Sequence, residues 1–486
     1  MSDIRNLEPK DVWSYFYDLT QIPRPSKKEE KAVAFVAEFG KKHGLETIVD
    51  EVGNVIIRKP ATKGYENRQT VILQAHLDMV PQKNSDKVHD FEKDPIEAYV
   101  DGDWVTANGT TLGADDGIGV ASALAILASD TIEHGPLEAL FTIDEETGMT
   151  GACNLKPDVL KGDILLNLDS EDDGELFVGC AGGVNVNVSK KYKEKSSPAG
   201  KVAYKLVIKG LKGGHSGVDI SLGRANSAKL LFRFLYQAEK ECEVRISSVV
   251  GGDLRNAIPR EAEAILVLPK RQAKRFEELV EEFSNTFKSE FAETEPNLSV
   301  VAEKCEKPAK VMDKKDQSAI IRAIYVCPNG VQRMCQAMKG LVETSNNLAI
   351  VRIKDGLVEA QCRTRSSVDS AKDATASKIQ AAFEMIGADV DFSGSYPGWK
   401  PNINSPILNV MHRAYKDLFG EEAKVSAIHA GLECGLLGGV YPNLDMISVG
   451  PTLKHPHSPD EKVDIKTVQK LYAFLIETLK NVPLKK

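Results

Sequence analysis

Four short segments carry side chains that could hold a metal and move protons. The first is His76-Leu77-Asp78, directly after an apolar run. A neutral imidazole can ligate a metal, and a nearby carboxylate can fix its tautomer and raise its basicity. The second, Gly113-Ala114-Asp115-Asp116-Gly117, leads into a helix, and its glycines allow backbone to approach a site closely. Asp116 suits a helix cap, which leaves Asp115 to face the site. The third is Asp144-Glu145-Glu146-Thr147-Gly148, where adjacent acids after a buried strand are costly unless something positive is near. In an extended segment neighbouring side chains point opposite ways, so one of Glu145 and Glu146 could bind metal while the other stays free for proton transfer. The fourth is Asn167-Leu168-Asp169-Ser170, joined far along the chain by His455-Pro456-His457-Ser458-Pro459-Asp460-Glu461, whose prolines stiffen that loop. Singly, each reads as well as a solvated loop or a cap. Together they offer the nitrogen and oxygen ligands that zinc accepts. A carboxylate between two metals about 3.5–4 Å apart is a common hydrolytic arrangement.

Such residues need a scaffold, and the pattern predicts one. Strands are expected at 55–58, 70–75, 137–143 and 164–168, and helices at 27–43 and 117–129. The candidate ligands fall just past strand ends, where open α/β sheets build their sites. The βαβ rhythm predicts an α/β fold with a mixed, largely parallel sheet covered by helices. After Cys180-Ala-Gly-Gly183 the alternation of Val184, Val186 and Val188 signals half-exposed antiparallel strands. Strands at 204–208 and 262–268 precede a helix at 271–291, and strands at 349–353 and 357–363 precede one at 371–385. This predicts an inserted α+β domain over 183–396 built from two similar halves. Residues 395–399 read as a return linker, after which helix 406–418, strand 446–449 and helix 468–479 resume the first domain, 1–182 and 397–486.

Composition narrows the class. The 486 residues carry 62 Lys and Arg against 70 Asp and Glu, a formal charge of -8 with no basic block, so nucleic acid is not an expected partner. No apolar run approaches the ~20 residues of a membrane span, and the first residues lack a secretory pattern. Eight cysteines without a C-x-x-C pair fit reduced thiols in the cytoplasm rather than a thiolate zinc site. His43, His89, His134, His412 and His455 are expected at surface or capping positions.

The ordered set H-L-D-M-V, G-A-D-D-G, D-E-E-T-G, N-L-D-S, G-G-H-S-G, R-N-A-I-P and P-H-S-P-D-E resembles the co-catalytic zinc peptidases related to carboxypeptidase G, aminoacylase and peptidase T. The resemblance implies two zinc ions, with manganese or cobalt able to substitute. Asp115 would bridge them, His76 and Asp169 would complete one site, and Glu146 and His457 the other. Asp78 would orient His76, and Glu145 would be the general base. The Asp115–Asp116 peptide would be cis. The inserted domain would be a lid, with His215 stabilising the oxyanion, Asn256 touching substrate and Arg365 pairing with its terminal carboxylate. His429 and Glu433 would line the pocket and help read the substrate amine. The implied activity is hydrolysis of unblocked dipeptides, Xaa-His peptides such as carnosine included, by a monomer or homodimer. An N-acyl amino acid deacylase and a non-catalytic metal or peptide-binding protein are the alternatives.

Overall fold

Val71–His76 and Leu137–Thr142 are buried along their whole length, as nearly unbroken apolar strands must be when a sheet is covered on both faces. They lie parallel at the centre of an eight-stranded sheet in a computed structural model that describes residues 3–485. The sheet runs Glu46–Val49, Val55–Lys59, Leu137–Thr142, Val71–His76, Ile164–Asn167, Asp445–Ser448, Glu175–Cys180, Lys424–Ile428. The four central strands are mutually parallel, and Val55–Lys59 and Glu175–Cys180 join them antiparallel. The α/β class expected from the sequence is therefore the one observed. Ala114–Ala128, buried almost throughout, packs between this sheet and Lys10–Thr20. A small second sheet pairs Leu453–Lys454 with Lys462–Asp464, and that strand with Trp104–Ala107. The loop bearing His457 is thus pinned at both ends.

The chain divides into two compact units. One runs to Gly179 and includes Trp399–Ala427 and the residues from Leu432 onward; the other is Cys180–Gly398 with Ile428–Gly431. The second unit is a nine-stranded sheet, antiparallel at every pairing, with helices over one face. It consists of two βαββαβ arrays. In chain order one is Lys201–Lys209, Ser227–Cys242, Arg245–Gly251, Ala262–Pro269, Ala273–Glu290, Ser299–Cys305. The other is Gly182–Lys191, Lys314–Val326, Val342–Lys354, Leu357–Ser366, Asp369–Glu384, Asp389–Tyr396. The first array is inserted within the second, and they join edge to edge where Val249–Gly251 pairs with Val351–Ile353. Among the described residues no helix is long and apolar enough to cross a membrane.

Candidate active site

The parallel strands deliver the acids and imidazoles to one end of the first sheet. His76 is the last residue of its strand, Asp144 to Glu146 follow Thr142, and Asp169 follows Asn167. His76 Nε2 lies 3.2 Å from Asp115 Oδ1 and 3.4 Å from Asp169 Oδ1. His457 Nε2 lies 3.2 Å from the other Asp115 oxygen and 3.0 Å from Glu146 Oε2. Two three-donor clusters therefore share Asp115. Tetrahedral zinc with ligand bonds near 2.0 Å separates its donors by about 3.3 Å, so both clusters fit a divalent ion. The Asp115–Asp116 peptide is cis, and Asp116 turns inward to accept from the amides of His76 and Gly119.

The electrostatics of these donors favour positive charge among them. Burial pushes Asp169, Glu145 and Asp116 well above the usual carboxylate range, and neighbouring acids add to it. Bonds to Asp115 and Glu146 hold His457 up at about 11. Burial opposes charging His76, yet Asp169, Asp115 and Asp78 together keep it well above its ordinary value. Glu171, not singled out from the sequence, is pushed up to about 7 by burial beside Asp115. A pair of divalent cations would compensate this crowd of acids. Glu146 Oε1 is buried without a hydrogen-bond partner, which fits a metal ligand.

Asp78 does two tasks. Its Oδ1 is 3.3 Å from His76 Nδ1, and its two oxygens accept from the amides of Glu145 (2.9 Å) and Glu146 (3.2 Å). Those amides start a helical turn, Glu145–Gly148, rather than the extended segment expected. Asp144 precedes it at φ 51°, held by the Thr147 and Thr150 hydroxyls. The turn still separates the two glutamates: Glu146 meets His457, while the Glu145 carboxylate lies within reach of His76 and Glu146 without a hydrogen bond among the described residues.

Two buried residues that sequence reasoning passed over tie the ligand loops together. Arg24 donates through Nη1 to the carbonyls of Leu77 and Asp78, both at 2.9 Å, and through Nη2 to Gly113 at 2.5 Å. Glu461 accepts from the amides of Leu112, Gly113, Ala114 and Asp115 at 2.7, 3.0, 2.8 and 3.3 Å. Glu461 stands in the quoted P-H-S-P-D-E run, so position marked it; nothing local marks Arg24.

Glu433 lies within electrostatic reach of His76, Asp78 and Glu145. It is fully buried, its Oε2 accepts from Gln74 (2.6 Å) and Thr142 (2.7 Å), and burial pushes its pKa up to about 7. With no exposed surface it is no pocket wall. It begins a buried chain of polar contacts across the central strands, from Gln74 to Asn167, Ser448 and Ser170. His89 and His134, expected at surface or capping positions, are buried, and His134 Nδ1 meets the Gly135 carbonyl.

The second unit gathers the other candidates. His215 Nδ1 accepts from the amides of Gly217 and Val218, which leaves the ring hydrogen on Nε2, 3.4 Å from Arg365 Nη2. Two donors thus face each other, an arrangement that an anion would satisfy. Asn256 holds this loop through its carbonyl, which accepts from Ser216 at 2.7 Å. His429 Nε2 meets Ser345 Oγ at 2.7 Å, and burial, with Arg365 nearby, drives its pKa down to about 3.

A fold of this kind, bearing paired ligand clusters around a shared aspartate, defines a metallopeptidase class. Residues 72–481 match the peptidase family M20/M25/M40, and the chain belongs to that family. It is 46% identical over 485 residues, all of both chains, to the cytosol non-specific dipeptidase of Escherichia coli (strain K12). The crystal structure of aminoacylhistidine dipeptidase from Vibrio alginolyticus superposes with a TM-score of 0.96 at 46% identity, covering 100% of this chain and 99% of that one. Aminopeptidase PepT from Bacillus cereus shares the fold, with a TM-score of 0.57 at 17% identity over 98% and 99% of the two chains.

Proposed function

We propose that this protein hydrolyses the peptide bond of unblocked dipeptides, Xaa-His peptides such as carnosine included, with two divalent ions, zinc first among them. The observation that carries this reading is the pair of ligand clusters sharing Asp115. The full-length likeness to a dipeptidase supports the substrate class. When bound, the ion pair lowers the pKa of a water and polarises a carbonyl. His76, Asp115 and Asp169 would hold one ion, and Asp115, Glu146 and His457 the other. Glu145 takes the proton from the attacking water and returns it to the leaving amine; its buried setting favours a carboxyl that can do both. Asp78 fixes the His76 ring. His215 donates to the developing oxyanion, Arg365 pairs with the terminal carboxylate, and Asn256 touches the substrate. His429 acts behind them as a neutral support. The name of the Escherichia coli relative supports a cytoplasmic setting.

The test is turnover of a dipeptide panel, carnosine included, each peptide paired with its N-acetylated form, by chelated protein with and without zinc. Metal-restored cleavage of free dipeptides alone is the expected result. Cleavage of the acetylated forms instead would make the protein a deacylase. No turnover with any divalent metal would leave a binding protein. Glu145→Gln should bind zinc normally and lose about 10²- to 10⁴-fold in kcat; full turnover in that variant would overturn the base assignment.

A further inference from the structure

One face of the second unit's sheet carries more positive charge than a single carboxylate requires. Arg363 and Arg365 alternate along Leu357–Ser366 and so share a face, opposite Asn185 and Gly183. Arg363 Nη1 donates to Asn185 Oδ1 at 2.8 Å, and its guanidinium carbon lies 5.1 Å from the Tyr396 ring centre. Arg365 Nη1 reaches the Tyr396 hydroxyl at 3.3 Å. Arg255 Nη1 donates to Asn187 Oδ1 at 2.6 Å, two residues along the strand that holds Asn185. All of these acceptors are neutral, and among the described residues no carboxylate pairs with any of the three arginines. The acid nearby, Asp391, is met by the Asn187 amide at 3.3 Å. Burial, and the arginines' repulsion of one another and of the histidines, pushes Arg255, Arg365, His215 and His429 toward their neutral forms. Small residues make the room: a Cβ at Gly183 would lie 2.8 Å from Arg363 Nη2, and one at Gly217 3.2 Å from Arg365 Nε.

We propose that Arg363 and Arg255 form a second anion subsite beside Arg365, which takes the side-chain carboxylate of a C-terminal Asp or Glu and makes acidic dipeptides a favoured substrate class. This rests on the reading of Arg365 as partner of the terminal carboxylate. Residues two apart on a strand are about 6.5–7 Å apart, and the two carboxyl carbons of an extended glutamate are about 5 Å apart by bond lengths. Two guanidiniums on that spacing, each a planar fork, can hold both groups at once.

The experiment compares kcat/KM for Ala-Glu with Ala-Gln, and Ala-Asp with Ala-Asn, in the zinc-loaded wild type and in Arg363→Gln. The expected result is a preference for the acidic peptide of about tenfold or more, shrinking with salt, and falling toward one in the variant. Equal rates in the wild type, or an undiminished preference in Arg363→Gln, would overturn the proposal. Should that variant fail to fold, inhibition of the wild type by free glutamate against free glutamine decides: tighter inhibition by glutamate supports the subsite, and equal inhibition refutes it. Failure to cleave any free dipeptide would sink the dipeptidase reading itself, whereas good turnover of Ala-Gln without preference for Ala-Glu sinks only the subsite.

Discussion

Replacing Glu461 with alanine should damage stability and metal binding together. Its carboxylate is 2% exposed and takes four backbone amides of the loop that ends at Asp115. A buried amide left without a partner costs about 1–3 kcal/mol. Leaving out the 3.3 Å bond to Asp115 as weak, three amides still set a loss of at least about 3 kcal/mol. Arg24 would also lose a buried counter-charge. Glu461→Gln keeps one oxygen and should lose about half as much. Because the loop presents Asp115, the proposed shared ligand, zinc affinity should fall by about 10- to 100-fold, as when a metal ligand loses its supporting shell. Urea denaturation of chelated protein measures the first effect, and calorimetric zinc titration the second. A loss under about 1 kcal/mol with unchanged zinc affinity would refute the view that Glu461 holds Asp115 in place.

Other outcomes follow from the same structure. His429, with its pKa down at about 3 through burial and Arg365, stays neutral when folded, whereas the unfolded chain takes up a proton near pH 6.5. Stability should therefore be unaffected by His429 above that value and fall as pH drops from 6.5 toward 3, by about 2 kcal/mol at pH 5. Urea midpoints of chelated wild type and His429→Gln at pH 7.5 and 5 check this, and equal slopes would count against it. Chelation should lower Tm, because the crowded acids lose their counter-charge. Zinc at about a thousand times its Kd should restore about 4 kcal/mol for each site filled, and a Tm indifferent to zinc would contradict the fit of the two clusters.

The central strands were legible because their apolar runs are clean, and the clustered acids and imidazoles because most of them stand at strand ends. Val342–Lys354 was visible only from residue 349, since Glu343, Thr344, Ser345, Asn346 and Asn347 look like loop. All five are buried and bonded, Asn347 to the Ala257 carbonyl and Asn346 to that of Pro328. Long-range partners override local propensity there. The same blindness hid Arg24, whose three acceptors lie more than fifty residues away. It also hid the burial of Glu433, whose partners Gln74 and Thr142 lie in strands far earlier in the chain.

The order in which the chain is made gives the split catalytic unit a timetable. About 380 residues separate His76 from His457, and Asp445–Ser448 must slot beside Ile164–Asn167 inside a sheet whose other central strands are made far earlier. At 5–20 residues per second, roughly 20–80 s of synthesis pass between the first proposed ligand and the last. Through that interval the growing polypeptide has an open seam in its sheet and only part of the proposed metal-binding cluster. Under the proposed mechanism, peptide-cleaving chemistry is therefore withheld on the ribosome until His457 has emerged.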